Sequence, residues 1–332
     1  MSIKILKPGL LTTVQDKGRF GFQKYGVIVN GAMDLFALRV ANLIVGNEEG
    51  AAALEVTLMG PELQFQENQL ISICGACLSP MIDGQPVPEW RPIYVRKGSV
   101  LRFKGCLSGC RAYVSVAGGF DVPEVMGSRS TYVRAGFGGF AGRALRGGDE
   151  LSAGAPSEWA ISCLEQLAEE EQPWKAAGWG VSLDFLPAYQ SDPVVRVVRG
   201  AQFEAFTEES KACFLADSFF ITPQSDRMGY RLSGPKLELK EPLEVISEAV
   251  STGTIQVPPE GNPIILLADR QTTGGYPKIA HIISVDLPVI AQAKPGERIT
   301  FSEVSLDEAQ ELYIEREREL NQLRQGLYLQ QR

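Results

Sequence analysis

The chain has 332 residues, 44% hydrophobic and 22% charged, which describes a folded globular protein long enough to hold two cores. A net charge of −8 excludes a nucleic-acid or anionic-membrane surface as its main business, because those partners need clustered cations. One histidine and six cysteines rule against a histidine-rich metal site or a disulfide-stapled scaffold. No run approaches the roughly 20 apolar residues of a spanning helix and Met1–Pro8 has no secretory apolar region, so a cytoplasmic protein with reduced thiols is expected.

Along the chain, short apolar runs recur at Ala53–Leu58, Gln69–Cys74, Val100–Phe103, Arg111–Ala117, Val194–Val198, Phe214–Ile221, Pro263–Ala268 and His281–Asp286. Gly, Pro and Asp/Asn separate them, the rhythm of barrels and sandwiches, so the chain is predicted to be mainly β with few short helices. Ile82-Asp83-Gly84-Gln85 predicts a hairpin turn. A helix is predicted over Met33–Val45, with Met33, Ala37, Val40, Ala41 and Ile44 on one face, Asp34 as a cap and Gly46-Asn47 as a stop.

Between Ala153 and Pro193 the pattern loosens, with a short helix near Trp159–Glu169. The expected division is 1–155 for a first β region, 156–192 for a linker, 193–304 for a second β region and 305–332 for a C-terminal helix. Ser305 and Glu308 form a capping-box pattern there, and the charges of Glu315–Glu319 mark a solvated face. The halves echo each other: Ile93–Phe103 and Ala291–Phe301 both end Gly-x-x-φ-x-Phe, and Gly60-Pro61-Glu62-Leu63 resembles Gly234-Pro235-Lys236-Leu237.

Several segments carry candidate chemistry. Cys74-x-x-Cys77 with Cys106-x-x-x-Cys110 is near a four-thiolate zinc spacing, but the same thiols fit as small buried residues of adjacent strands, and no metal ligand is assigned. The glycine-rich Val133–Gly148, with three arginines, lacks the Gly-Lys-Ser/Thr of a P-loop; a loop closing over an anion and a ligand-free connector both fit it. Gln15, Asp16 and Arg19, and Ser128, Arg129 and Thr131, group amides, hydroxyls and cations that suit an oxyanion or a turn.

The densest polar mixture lies in Ser225–Arg231 and Asp269–Lys278, each beside strand-like runs and therefore on loops at a sheet rim. Lys278 follows the Gly274-Gly275 turn and is placed to meet a carboxylate or a developing negative charge. For Arg227, Arg231 and the Asp269-Arg270 pair, an anion clamp and a structural brace both remain open. His281 is read as structural.

The strings LTTVQDKGRFGFQKYGV, GAMD, AALE, GSRST, SDRMGYRLSGP, GTIQVP and ADRQTTGGYPKIA, in that order, resemble the allophanate hydrolase subunit 2 family, also called carboxyltransferase subdomain B. The resemblance runs over about residues 3–305 and implies two cyclophilin-like β-barrel domains. The family includes a component of bacterial ATP-dependent 5-oxoprolinase, the antagonist of the sporulation-kinase inhibitor KipI, and the carboxyltransferase half of urea carboxylase. It implies a subdomain A partner (the 5-oxoprolinase B component or a KipI-like protein) and, for 5-oxoprolinases, a third barrel protein, the A component, that completes the opening of 5-oxoproline to glutamate. ATP would be used by the complex, whether or not this chain binds it. The sequence has no biotin-attachment Met-Lys-Met, so no biotin is expected on this chain. The resemblance therefore favours a component of a multi-subunit enzyme, with a KipI-type antagonist or a biotin-dependent carboxyltransferase component as alternatives.

Carried onto this sequence, the family motifs mark Asp226, Asp269 and Lys278 as catalytic candidates. They mark Gln15, Arg19, Arg129, Thr131, Arg227, Tyr230, Arg231, Gln256, Arg270, Thr272 and Tyr276 as substrate-binding candidates. Arginines and Lys278 would hold a carboxylate or a phosphorylated or carboxylated intermediate, and Asp226 or Asp269 would orient a cation or move a proton.

Overall fold

A computed structural model describes residues 1–169 and 171–329. The chain forms two compact units: Met1–Arg19 with Asp34–Leu186 and the segment from Leu320, and Phe20–Met33 with Pro187–Glu319. Both are mainly β, as the apolar rhythm predicts.

In the first unit, two six-stranded sheets enclose one core. One sheet runs in the order 150–152, 2–7, 62–65, 100–103, 80–82 and 85–86; the other runs 174–176, 93–95, 69–77, 108–116, 53–57 and 11–15. Ile3, Ile5, Leu63 and Leu101 from the first meet Val14, Leu54, Ile73 and Val114 from the second in that core. The hairpin turn is where Asp83-Gly84 predicts it: both residues have positive φ (47° and 84°), and Ile82 pairs with Gln85 across it.

The helix Leu35–Ile44 is two residues shorter at its start than the periodicity suggests, because Asp34 is its cap and accepts from Ala37 N at 2.9 Å. It is also buried nearly all round; only Leu35 and Arg39 of its residues escape full burial, so a single apolar face describes it too narrowly. Ser72 Oγ donates to Ala41 O at 2.6 Å from the sheet beneath, and the Phe36 ring sits 6.3 Å from Trp90 and 5.3 Å from Phe185. The helix Glu158–Leu167, capped by Ser157, packs Ala160 and Cys163 against Val45, Leu70 and Ala117.

The second unit is a closed seven-stranded barrel in the order Val194–Arg199, Lys278–Ile282, Thr254–Gln256, Ile264–Leu266, Gly229–Ser233, Phe219–Ile221 and Arg298–Glu303. It closes through a parallel pairing of Val194–Val197 with Thr300–Glu303. Phe214 stacks on Phe301 at 4.6 Å inside it. Closure removes the exposed edges that an open sheet would offer. The echo between halves fails at one point: Glu62–Phe65 is a strand, whereas Lys236-Leu237 lies in no strand and leads into a long outer segment.

The helix Leu306–Leu329 starts where Ser305 Oγ accepts from Glu308 N at 3.1 Å. Among the described residues no helix is long and apolar enough to cross a membrane, and no group of three or more His, Cys, Asp or Glu is arranged to hold a metal. Cys74 and Cys110 are buried within strands, and burial pushes the Cys74 thiol well above its ordinary pKa.

Candidate functional site

The predicted residues fall into two groups, one in each unit. In the first unit the group is built on Asp16. Its carboxylate accepts from Ser128 Oγ (2.7 Å), Ser130 Oγ (2.5 Å), Arg129 N (2.5 Å) and Gly18 N (2.8 Å), fixing the 128–131 loop to the end of strand Leu11–Gln15. Arg19 is buried; its guanidinium donates to Val125 O and Ser130 O and lies 4.8 Å from the Phe137 ring. Gln15 donates to Thr131 O at 3.2 Å, and Thr131 donates in turn to Val14 O at 2.9 Å.

The glycine-rich segment is the outer wall of this group. Gly138 and Gly139 have φ of 72° and 54°, and a Cβ on them would run into Ser130 O and Thr131 Oγ1. Arg143 is tied bidentately to Asp149 (2.7 and 2.8 Å). Unlike the buried Arg19, Arg129 presents its guanidinium outward, with Nε on Val122 O and Nη1 3.9 Å from Glu124.

In the second unit Arg227 and Asp269 form a buried bidentate pair, Nε to Oδ2 and Nη2 to Oδ1, both 3.0 Å. Arg227 Nη2 also donates to Gly31 O (2.5 Å), and Asn30 Nδ2 donates to Asp269 Oδ1 (2.9 Å). Asn30 stands at φ 59°, so the short Asn30-Gly31 turn is shaped to reach this pair. Nothing in the sequence reading singled out Asn30; the Asn-Gly dipeptide was its one local signal. Asp226 closes its own turn by accepting from Met228 N (2.8 Å) and Gly229 N (3.3 Å). Tyr230 points into the barrel core, its hydroxyl donating to Ala293 O, whereas Arg231 next to it is exposed.

Lys278 and Gln256 are cross-strand partners on adjacent barrel strands, both buried. Lys278 Nζ meets Glu248 Oε1 at 2.5 Å, which holds the Glu248 carboxyl below the usual carboxylate range. Glu248 sits in a two-residue ladder, Glu248–Ala249 against Thr273–Gly274, and Gly274 lies directly over the Gln256 amide, where a Cβ would be 2.5 Å from Nε2. Val250 N donates to Thr272 O, and Tyr276 stands exposed at the other end of the same loop. The sequence reading missed Glu248, which lies 30 residues before Lys278 in a stretch without distinctive composition.

Arg270 differs from the other arginines. Its Nε donates to Val250 O (3.2 Å) and its Nη1 to Thr252 Oγ1 (2.7 Å); no carboxylate among the described residues pairs with it. Burial lowers its pKa with no opposing charge to raise it. His281 contacts Thr254 Oγ1 at 3.2 Å, and burial, then the Lys278 charge, holds its pKa below the ordinary imidazole value. The second unit thus sets two cations, Lys278 and Arg270, around one loop system, one paired with a water-facing carboxylate and one with neutral oxygens only.

Comparison with known proteins places the chain among relatives. Residues 25–303 match the family described as carboxyltransferase domain, subdomain A and B. The chain is 39% identical to the C component of 5-oxoprolinase from Haemophilus influenzae and 38% identical to that of Escherichia coli, in each case over 97% of both chains. The structure also superposes on the Kluyveromyces lactis urea carboxylase with a TM-score of 0.87 at 30% identity, covering 98% of this chain but 29% of that one.

Proposed function

The chain belongs to the carboxyltransferase domain family, subdomain A and B, and on that footing we propose that it serves as the C component of an ATP-dependent 5-oxoprolinase. With a subdomain A partner and a third protein, the complex would convert 5-oxo-L-proline to L-glutamate at the expense of ATP. The observation that carries this reading is end-to-end similarity: 39% identity extends across 97% of this chain and 97% of the Haemophilus influenzae protein, whereas the chain matches only 29% of the urea carboxylase.

The substrate is a five-membered lactam bearing a carboxylate. Its amide is resonance-stabilised, so coupling to ATP supplies a driving force that water alone lacks. In this reading Lys278 and Arg270 are the contacts for the carboxylate, or for the charge that develops on the lactam oxygen as the ring opens, because a cation held in a poorly hydrated site acts most strongly on a nearby anion. Gln256, Thr272 and Tyr276 shape the same loop system. Asp226, engaged within its own turn, and Asp269, engaged by Arg227 and Asn30, enter as positioning residues, with Arg227 and Tyr230 holding the scaffold. Gln15, Arg19 and Thr131 do the same in the first unit, leaving Arg129 and Arg231 as outward-facing guanidiniums for a ligand or a partner surface.

The test is glutamate release from 5-oxoproline and ATP by the reconstituted components, omitting each in turn. Strict dependence on this chain is the expected result; full activity without it overturns the proposal. A second reading, carboxyl transfer from a biotinylated carrier, is favoured by the TM-score of 0.87 to the urea carboxylase. Mass spectrometry of the complex isolated from cells decides it, since that chemistry requires a biotinylated protein to be present.

A further inference from the structure

The segment Glu241–Ala249 crosses the outside of the second unit as a strap. It is tied at one end where Lys240 N donates to Ala205 O (2.9 Å), and at the other by the ladder to Thr273–Gly274 and by Arg270 on Val250 O. Between these ties, residues 241–247 form no hydrogen bond or ion pair with any described residue. Ile246 turns outward and is 89% exposed. A cavity of about 870 Å³ separates 236–245 from Val257–Gly261 and Gly275–Pro277. Few buried contacts and unbonded backbone are the marks of a segment that opens locally at low cost.

The contact that fastens the strap is Glu248 on Lys278. The Lys278 side chain is 4% exposed and that of Glu248 53%. A buried ammonium left without a counter-charge is costly, so Lys278 needs an anion in every state of the protein. Glu248 already faces water, and exchanging it for another carboxylate keeps Lys278 paired while returning Glu248 to solvent. Arg270, at the strap's C-terminal root, offers a second positive charge that no carboxylate of the described chain uses.

We propose that Glu248 is an internal stand-in for the substrate carboxylate: it occupies Lys278 in the resting protein, and a small monocarboxylic acid displaces it, lifting the strap. This rests on the reading of Lys278 as the substrate's contact. Apparent affinity is then reduced by the fraction of molecules in which Glu248 holds the site.

Two measurements test it. In the reconstituted complex, Glu248→Gln is expected to lower KM for 5-oxoproline about three- to tenfold without loss of kcat, since an internal competitor has been weakened. In the full chain alone, amide hydrogen exchange at Val250 and in the ladder of Glu248–Ala249 with Thr273–Gly274, the hydrogen-bonded end of the strap, is expected to quicken in Glu248→Gln. In the wild type it quickens on adding 5-oxoproline but not 2-pyrrolidinone, the same ring without a carboxylate. An active wild-type complex whose Glu248→Gln variant has an unchanged or higher KM, or a strap whose exchange ignores 5-oxoproline, overturns the proposal. If the wild-type complex has no turnover, the 5-oxoprolinase reading falls, and exchange with acetate as the probe still decides: quickening supports displacement of Glu248, and no change overturns it.

Discussion

Replacing Asp269 with alanine removes the carboxylate from beneath a guanidinium that stays buried. The side chains of Arg227 and Asp269 are 9% and 8% exposed, and the change removes the acceptor of two guanidinium hydrogen bonds at 3.0 Å and one Asn30 hydrogen bond at 2.9 Å, together with the counter-charge. Water cannot readily replace what is lost, so the cost is that of breaking a buried pair, about 3–5 kcal/mol. Asp269→Asn keeps one acceptor oxygen and removes the charge, and is expected to cost roughly half as much. Replacing both partners, as Arg227→Met with Asp269→Leu, leaves no buried charge and should recover most of the loss. The assay is urea unfolding followed by far-UV circular dichroism, because all four tryptophans, at 90, 159, 174 and 179, lie in the first unit and their fluorescence reports the wrong half. A loss below about 1 kcal/mol for Asp269→Ala, or a double variant as unstable as the single one, would refute the view that this pair is a scaffold brace.

Lys278→Met in the reconstituted complex should abolish glutamate release while leaving the urea midpoint within reach of wild type, since methionine fills the stem's volume; retained turnover counts against the proposed contact. Glu89 has its pKa raised by burial from 4.5 to about 7, so the folded state holds its proton where the unfolded state has lost it. Stability contributed by this group is therefore present at low pH and falls as pH rises between about 4.5 and 7; Glu89→Gln should flatten that fall, checked by urea midpoints at both ends of the range. Gly139→Ala places a side chain at φ 54° against Thr131 Oγ1 and is expected to cost about 1–3 kcal/mol, read from the tryptophan unfolding curve; a neutral result would mean that the glycine-rich wall is not packed as described.

What was legible in the chain by itself is what depends on near neighbours. The Asp83-Gly84 hairpin, the Asp34 and Ser305 caps and the strand rhythm all rest on bonds or periodicities within a few residues, so composition and spacing encode them directly. The family motifs were likewise visible, because long runs of unusual polar residues stand out in one dimension.

Tertiary structure decided which partner each polar group takes. Arg227 and Asp269 come together across 42 residues, Asp269 and Asn30 across 239, and Lys278 finds Glu248 30 residues away. None of those spacings carries a local signal, since closing a longer loop costs only slightly more entropy and the choice is made by which groups the barrel buries together. The same holds for Tyr230, whose neighbours in sequence are loop-like and whose side chain is core, and for the helix Leu35–Ile44, buried on faces that its periodicity leaves polar or open. Burial turned several apparent ligands into braces, and left Lys278 on a water-facing carboxylate and Arg270 on neutral oxygens.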